Sequence, residues 1–158
     1  MTAAPIEAVR PAVEADLERL CVLATEAVDE QRDARGGSVW SRREARRDPS
    51  VTLAAALTDP STSVLVGTLD DVVVGYGVLR VERLADGDRL AVVDDLYVEP
   101  GARGVGVGEA LMQTLIERAT EASCIGIDAL ALPGNRATKN FFEASGLTAR
   151  AIVVHRSL

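Results

Sequence analysis

A glycine-rich stretch, residues 103–108, carries the clearest chemical signal in the sequence. It follows a predicted strand that ends near Val98 and precedes a predicted helix that begins near Gly106. Glycines at such a turn let backbone N–H groups approach a ligand, and a helix N-terminus carries about half a positive charge. The stretch therefore predicts a pyrophosphate site, to which the Arg103 guanidinium can add a charge-assisted hydrogen bond.

Two familiar phosphate loops do not fit this stretch. A dinucleotide-binding loop requires Gly-x-Gly-x-x-Gly, and counting from Gly104 and Gly106 places Glu109 where the third glycine belongs. A nucleotide-binding P-loop requires a Gly-Lys-Ser/Thr ending, and residues 103–108 contain no lysine. Neither loop type therefore accounts for the glycines.

Two adjacent carboxylates, Asp94 and Asp95, lie on the strand before the turn. A carboxylate there can bind an ammonium group and accept its proton, directly or through water. Because neighbouring strand residues point to opposite faces, at most one aspartate should face a cleft. Asp94 would share its face with Leu96 and Val98. Alternatively, both aspartates form ion pairs with nearby arginines such as Arg80.

The composition indicates one globular domain that spans residues 1–158. Of the 158 residues, 47% are hydrophobic and 26% are charged, as in ordinary folded domains. A net charge of −7 argues against nucleic acid and anionic membranes as partners, and mildly favours cationic small molecules. No apolar run is long enough to cross a bilayer and the N-terminal residues lack a secretory pattern, so we expect a cytoplasmic protein.

The sequence contains few residues that could bind a metal or form a disulfide. Cys21 and Cys124 are the only cysteines, and a single disulfide is not expected in a cytoplasmic chain of this length. With His155 as the sole histidine and no close cysteine pair, the sequence lacks the ligands of an ordinary zinc site. We therefore expect two buried free cysteines, a structural or interfacial His155 and no metal.

Hydrophobic periodicity predicts a succession of strands and helices. The predicted strands cover residues 6–10, 63–69, 72–83, 89–98, 125–132 and 147–155. The predicted helices cover residues 17–28, 41–57 with a break at Pro49, 106–122, and a last helix that Asn135 caps and that ends at Ser145. The order β-α-α-β-β-β-α-β-α-β indicates an α/β (α+β) fold, with a mixed, mostly antiparallel sheet flanked by helices.

Four arginines cluster in the second predicted helix: Arg42, Arg43, Arg46 and Arg47. Their i, i+4 spacing stacks them in pairs on one helix surface, near Glu44 and Asp48. An anionic partner is one interpretation of the cluster. A solvated helix face is the favoured one, because the two carboxylates balance part of the charge.

The glycine-rich stretch resembles motif A of the GCN5-related N-acetyltransferase (GNAT) superfamily, whose pattern is Gln/Arg-x-x-Gly-x-Gly/Ala after a strand. Arg103, Gly106 and Gly108 match this pattern, and residues 95–100 are similar to the strand and proline that lead into it. A later pattern of Asn, a small residue, two aromatics and a glycine is matched by Asn135, Thr138, Phe141, Phe142, Gly146 and Leu147. The resemblance covers most of the chain and agrees with the predicted order of elements.

This resemblance implies that the ligand is acetyl-CoA. The pantetheine arm would pair with backbone groups of Leu96, Tyr97 and Val98 as an added strand. The pyrophosphate would lie on the turn formed by Arg103, Gly104, Val105, Gly106, Val107 and Gly108. Asn135 would contact the pantetheine and Lys139 the adenosine phosphates; the alternative roles are a helix cap and a solvated surface charge.

By the same resemblance, the acceptor amine attacks the thioester directly and no protein nucleophile is expected. The run from Asp94 to Val98 is similar to that of diamine acetyltransferases, whose first acidic residue attends the substrate amine, so we favour Asp94 as the base. A backbone N–H near Val98 would stabilise the oxyanion. The sequence departs from the family at Phe142, where many members carry the tyrosine that returns a proton to the thiolate. Water or another hydroxyl, such as that of Tyr97 or Tyr76, would have to serve.

Two functions from different classes are left open by the sequence. The first is acetyl transfer to a primary amine of a cationic small molecule or a peptide, which Asp94 favours. The second is a catalytically inactive GNAT-fold module that binds acyl-CoA as a sensor or partner-binding subunit, which Phe142 favours. The habit of the family also suggests a homodimer formed through the last strands.

Overall fold

The computed structural model describes residues 3–158 and contains a five-stranded sheet with the strand order β1-β2-β3-β4-β5. The strands are β1 (Glu7–Pro11), β2 (Thr62–Leu69), β3 (Val72–Arg83), β4 (Arg89–Val98) and β5 (Ile127–Ala129). The helices are α1 (Leu17–Arg32), α2 (Gly37–Arg43), α3 (Pro49–Thr58), α4 (Val107–Glu121) and α5 (Arg136–Ala144). Strands β1 to β4 pair antiparallel and β5 joins β4 in parallel, which confirms the predicted mixed fold class.

Both faces of the sheet are apolar and each is covered by helices. The face covered by α4 holds a buried cluster that includes Leu65, Leu79, Val93, Leu111, Met112, Leu115 and Phe142. The face covered by α1 and α3 holds a second cluster that includes Leu20, Leu23, Leu53, Val66, Tyr76, Val78 and Tyr97. The sheet is thus a rigid layer between two cores, and its edges are the places where a ligand can reach the backbone.

A β-bulge interrupts the pairing of β3 with β4 at the two aspartates. Val78 lies opposite Asp95, whereas the next residue, Leu79, lies opposite Val93, so Asp94 is the extra residue of β4. Such an insertion shifts the alternation of side chains by one position. The Asp94 side chain points to the face opposite that of Val93, which packs towards α4. Because Asp94 is the inserted residue, the Asp95 side chain points to the same face as that of Asp94. Both carboxylates therefore project to the α1 face, and the expectation that they point to opposite faces is wrong.

The arginine-rich segment forms two short helices. Helix α2 ends at Arg43, and Pro49 opens α3 after Asp48, which takes a left-handed conformation (φ 43°). The predicted break at Pro49 is confirmed. Arg46 lies in the connection between the helices, so the expected stacking of Arg42 over Arg46 on a helix surface does not form.

The chain after α5 differs from the prediction. Residues 147–158 have no regular secondary structure, so the last predicted strand is not formed, and β5 covers only the middle of the predicted 125–132. An ion pair between Arg150 and Asp128 ties the segment to β5. Beyond it, Ile152, Val153 and Val154 are 85%, 81% and 90% exposed. β-Branched residues favour a strand only where a neighbouring strand supplies hydrogen bonds and packing, and none does so here.

The remaining predicted features concern cysteines, metals and membranes. Cys21 packs against the cluster under α1 and Cys124 against the cluster under α4, so the two free thiols lie on opposite sides of the sheet. No group of three or more His, Cys, Asp or Glu side chains within residues 3–158 is placed to hold a metal ion. His155 is exposed in the C-terminal segment. Among the helices of the described chain, none is both long and apolar enough to cross a membrane.

Candidate functional site

Strands β4 and β5 separate before β4 ends. They pair only where Ala91–Val93 lies beside Ile127–Ala129. Within the described chain, residues 94–98 therefore have β3 as their only strand neighbour. The backbone groups on the other side of this stretch are open to an extended ligand, which can join the sheet as a further strand.

The hydrogen-bond alternation of β4 identifies the groups that face this opening. The Glu99 N–H donates to the Val74 carbonyl at 2.9 Å, so the same ladder directs the Tyr97 backbone towards β3. Leu96 and Val98 alternate with Tyr97 and direct their N–H and C=O groups to the open side. Of the three predicted pantetheine partners, Leu96 and Val98 thus present backbone groups to the opening, and Tyr97 does not.

The glycine-rich turn lies directly beyond this open edge. A single 3₁₀ turn at Pro100–Ala102 redirects the chain, and Gly104 and Gly106 take left-handed conformations with φ of 79° and 101°. Helix α4 then begins at Val107, so the N–H groups of its first turn have no partner within the helix. These N–H groups, together with the helix dipole, make the turn suitable for an anion such as a pyrophosphate.

The Arg103 side chain points away from the turn and towards α1. Its Nη1 and Nη2 donate to the two carboxylate oxygens of Glu30 at 2.9 and 2.7 Å, and its Nε donates to the Val98 carbonyl at 2.7 Å. The guanidinium also lies over the Tyr97 ring, 5.4 Å from the centroid. The hydrogen bonds from Arg103 lower the pKa of Glu30 below its ordinary value. All three side-chain nitrogens of Arg103 thus have protein partners, and the predicted phosphate contact would require the guanidinium to leave Glu30.

Asp95 is the centre of a nearly buried network. Arg46 donates to its two oxygens from Nε and Nη2 at 2.6 and 2.5 Å, and the Tyr76 hydroxyl donates at 2.6 Å. The side chains of Arg46 and Asp95 are only 12% and 9% exposed. Burial and the adjacent carboxylate raise the pKa of Tyr76 well above its ordinary value. Asp95 therefore has its oxygens occupied, and the expectation that Arg46 belongs to a solvated surface is wrong.

Asp94 is the more accessible carboxylate of the pair. Its side chain is 31% exposed, and the Arg80 guanidinium lies 3.2 Å from its Oδ2. Arg80 is shared, because it also donates to Glu82 at 2.6 Å. Burial raises the pKa of Asp94 above its ordinary value, and the hydrogen bond from Arg80 opposes that rise. Asp94 thus keeps an accessible oxygen surface, and its raised pKa means that it binds a proton more readily than an ordinary aspartate.

The predicted site residues of α5 have protein partners. The Asn135 side chain caps the helix by accepting from the Thr138 N–H at 3.1 Å. The Lys139 ammonium pairs with Glu143 at 2.7 Å and is 57% exposed. These contacts match the alternative roles of helix cap and surface charge. Contact with a ligand would require Lys139 to leave its partner.

Aromatic side chains close the site on the α4 side. Phe142 is 8% exposed and packs within the cluster under α4, and its ring carries no hydroxyl that could donate a proton. The neighbouring ring of Phe141 lies against Gly108, where a Cβ atom would come within 3.4 Å of it. Glycine at this position therefore lets α5 approach the start of α4.

Sequence reasoning overlooked two partners of the site and misplaced a third. Glu30 lies 73 residues before Arg103, and no local pattern links them. Tyr76 is identified as a strand aromatic, and its bond to Asp95 follows from its place opposite Tyr97, which shares a face with Asp95. Arg46 carried a usable signal, because the break at Pro49 places it in a connection that can reach the sheet.

Comparison with known proteins identifies a family and a relative. The sequence model described as the acetyltransferase (GNAT) family matches residues 24–147. The L-amino acid N-acyltransferase MnaT of Escherichia coli (strain K12) is 31% identical over 84 residues, which are 53% of this chain and 49% of that protein. The match thus spans about half the length of this curated relative.

Solved structures share the fold over nearly the whole chain. A tetramutant of the BH1408 protein from Bacillus halodurans has a TM-score of 0.82 at 21% identity, over 96% of this chain and 99% of that chain. The aminoglycoside N-acetyltransferase AAC(6')-Iy in complex with CoA has a TM-score of 0.76 at 15% identity, over 99% of this chain and 98% of that chain. At these identities the likeness establishes the fold alone.

Proposed function

The chain belongs to the acetyltransferase (GNAT) family, and from this premise we propose that it transfers the acetyl group of acetyl-CoA to a primary amine. The proposal rests on one observation: the open edge of β4 leads directly into the glycine turn, and Asp94 lies where that edge begins. A pantetheine arm needs extended backbone partners, a pyrophosphate needs N–H donors and an ammonium group needs a carboxylate. Residues 94–108 supply all three.

The cofactor half of the site is assigned to backbone groups. Leu96 would pair with the pantetheine, while Val98, whose carbonyl accepts from Arg103, keeps its N–H for the acetyl carbonyl. The turn 103–108 would hold the pyrophosphate on its N–H groups and on the N-terminus of α4. Asn135 and Lys139 are the weaker members of the proposed site, because each already has a partner on α5.

Asp94 performs the proton transfer in this proposal. An alkyl ammonium of pKa about 10.4 requires roughly 4–5 kcal/mol to lose its proton at pH 7. Asp94 binds the ammonium, accepts that proton directly or through water, and so frees the nitrogen lone pair for attack on the thioester carbonyl. The N–C bond forms, the C–S bond breaks and coenzyme A leaves as the thiolate. The Val98 N–H, on the open side of β4, stabilises the oxyanion.

The leaving thiolate receives no proton from the usual aromatic position. Phe142 has no hydroxyl, the Tyr76 hydroxyl is bonded to Asp95, and burial together with nearby glutamates raises the pKa of Tyr97. An ordinary thiol has a pKa of about 8.5, so its thiolate leaves without a strong acid. Water therefore supplies the proton to the thiolate, and the second nitrogen proton passes to solvent.

The acceptor is proposed to be a cationic amine. The names of two relatives contain an amino acid and an aminoglycoside as acceptors, both of which bear amines. The chain itself carries a net charge of −7, and Arg46 is fully engaged by Asp95. The carboxylate that stays accessible beside the open edge is that of Asp94, which shares the Arg80 guanidinium with Glu82.

A second candidate function is a catalytically inactive module that binds acyl-CoA as a sensor or partner-binding subunit. It is favoured by Phe142, which occupies the position of the usual proton donor and is buried in the core. Both functions require the same cofactor site. They differ in whether an amine accelerates the release of free thiol.

A cytoplasmic location and a homodimer are further parts of the proposal. The homodimer is supported by the exposed Ile152–Val154 run, which lies beyond the Arg150 ion pair and has no strand neighbour in residues 3–158. A second copy can cover these side chains with its own C-terminal segment. Light scattering of the purified protein, with and without residues 151–158, tests the dimer directly.

The proposed activity is tested by measuring thiol release from acetyl-CoA against polyamines, amino acids, aminoglycosides and short peptides. Calorimetry with coenzyme A runs beside the assay. Amine-dependent thiol release establishes the transferase. Tight cofactor binding without release by any amine favours the sensor, and absence of cofactor binding contradicts both functions.

The Gly106→Val variant is expected to weaken coenzyme A binding by about 10-fold to 100-fold, because it loses hydrogen bonds to a charged group. Gly106 has a φ of 101°, which a β-branched residue does not adopt without moving the N–H groups of the turn. The matched control is Gly87→Val, at a φ of 92° in the turn between β3 and β4. Equal calorimetric affinity of the two variants would contradict a pyrophosphate site at Gly106.

A further inference from the structure

Arg103 joins the glycine turn to helix α1. Each of its three side-chain nitrogens donates to a protein oxygen, two on the Glu30 carboxylate and one on the Val98 carbonyl. Glu30 lies in the last turn of α1, and the Tyr97 ring supports the guanidinium from below. The first side chain of the turn is therefore fixed between a helix and a strand end.

A second arginine ties the same helix to the same corner. Arg19 of α1 donates from Nε to the Val73 carbonyl at 3.0 Å and from Nη2 to Glu99 at 2.6 Å. Glu99 follows the last residue of β4 and lies four positions before Arg103. Helix α1 thus holds the chain on the strand side of the turn through Arg19 and at its start through Glu30.

We propose that Glu30 is a positioning residue for the cofactor site. By holding Arg103 away from the ligand, Glu30 lets the turn present its backbone N–H groups to the pyrophosphate. The inference rests on the proposed function, since the ligand is coenzyme A. The Arg103 bond also occupies the Val98 carbonyl, so Val98 presents only its N–H group to the open edge. The competing arrangement has Arg103 leave Glu30 and bind the pyrophosphate directly.

The two arrangements predict opposite effects of removing the Glu30 charge. If Glu30 positions the turn, Glu30→Gln and Arg103→Met each weaken coenzyme A binding by about three- to fivefold, the scale of one half-exposed ion pair. The double variant then binds coenzyme A no more weakly than the single variant of lower affinity, because both substitutions break the same interaction. If Arg103 is a phosphate ligand, Glu30→Gln frees it and leaves binding unchanged or tighter.

The experiment is a calorimetric double-mutant cycle with coenzyme A at a temperature where all variants are folded. Glu18→Gln, an exposed glutamate on the same helix, is the control for loss of one negative charge. The KM for acetyl-CoA should rise with the dissociation constant, while kcat and the KM for the amine stay constant. A purely structural role would lower the thermal midpoint and leave the affinity unchanged, which would overturn the inference.

Hydrogen exchange separates this inference from the proposed function. In the ligand-free protein, Glu30→Gln should speed amide exchange at residues 104–108 and leave the β2–β3 turn unaffected. If the wild-type protein does not bind coenzyme A, the proposed function fails, and unchanged exchange at the turn would then overturn the positioning role as well. Faster exchange would support it regardless of the ligand.

Discussion

The Asp94→Asn variant is expected to lose about 10²- to 10⁴-fold in kcat/KM for amine acetylation at pH 7, the usual contribution of a general base. Asparagine has the size of aspartate and its oxygen can still accept from Arg80, so the shape of the surface that meets the amine is kept while its charge is lost. It cannot accept a proton from an ammonium group. Thiol release at saturating acetyl-CoA over a range of amine concentrations measures the loss.

The pH profile of the wild-type enzyme provides an independent check on Asp94. Burial raises the pKa of this carboxyl, and only its ionised form can act as a base. The value of kcat/KM should therefore fall as the pH decreases through the raised pKa, at a higher pH than that at which an ordinary aspartate protonates. The Asp94→Asn variant should lack this acidic limb.

Stability measurements separate a lost base from a lost fold. A raised pKa means that the folded protein binds the Asp94 proton more tightly than the unfolded chain does. The resulting stabilisation is complete below the unfolded pKa and is lost as the pH rises through the folded pKa. The Asp94→Asn variant avoids burying a charge, so its urea midpoint at pH 7 should be no lower than that of the wild type. Undiminished turnover in a folded variant would remove Asp94 from the role of base.

Most of the sheet was predictable because the sequence marks where its strands begin and end. Strands β3 and β4 have the predicted ends, since alternating apolar runs are separated by short polar turns. The turn between β2 and β3 is formed by Asp70 and Asp71, both with positive φ, a conformation that aspartate tolerates. The last strand was not predictable in the same way. The run 152–154 has strand propensity, but propensity does not supply a neighbouring strand.

The site was predictable where its chemistry is local and not where it depends on distant contacts. The glycine turn and the carboxylate pair are visible in the sequence, because spacing within one strand and one helix defines them. The bulge at Asp94 has no sequence signature, yet it decides that both carboxylates share a face. The partners of Arg103 and Asp95 come from α1 and from the α2–α3 connection, and only the folded chain brings them together.

The Arg46→Met variant is expected to lose about 3–5 kcal/mol of unfolding free energy, because it leaves a buried carboxylate without its counter-charge. Arg46 and Asp95 are 12% and 9% exposed, so water cannot replace the lost hydrogen bonds. Urea unfolding at pH 7 measures the effect. The matched control is Arg47→Met, which removes the same charge from an exposed neighbour and should change stability by less than about 0.5 kcal/mol.

A second substitution identifies the buried charge as the cause. Asp95→Asn keeps an acceptor for the Tyr76 hydroxyl but removes the uncompensated charge, so the combined variant should regain stability relative to Arg46→Met alone. The same pair affects the neighbouring Asp94, the proposed base. The negative charge of Asp95 raises the pKa of Asp94, and the positive charge of Arg46 lowers it. The acidic limb of kcat/KM should therefore move to higher pH in Arg46→Met and return in the combined variant.

If Arg46→Met is as stable as Arg47→Met, the ion pair does not hold the α2–α3 connection on the sheet. If the acidic limb also stays in place, Asp94 titrates independently of its neighbour. The expected result, lower stability together with a shifted limb, follows from both aspartates projecting from one face of β4 into one electrostatic environment. It would show that the bulge sets the acid–base chemistry of the site, because Arg46 neutralises one carboxylate and leaves the other to meet the amine.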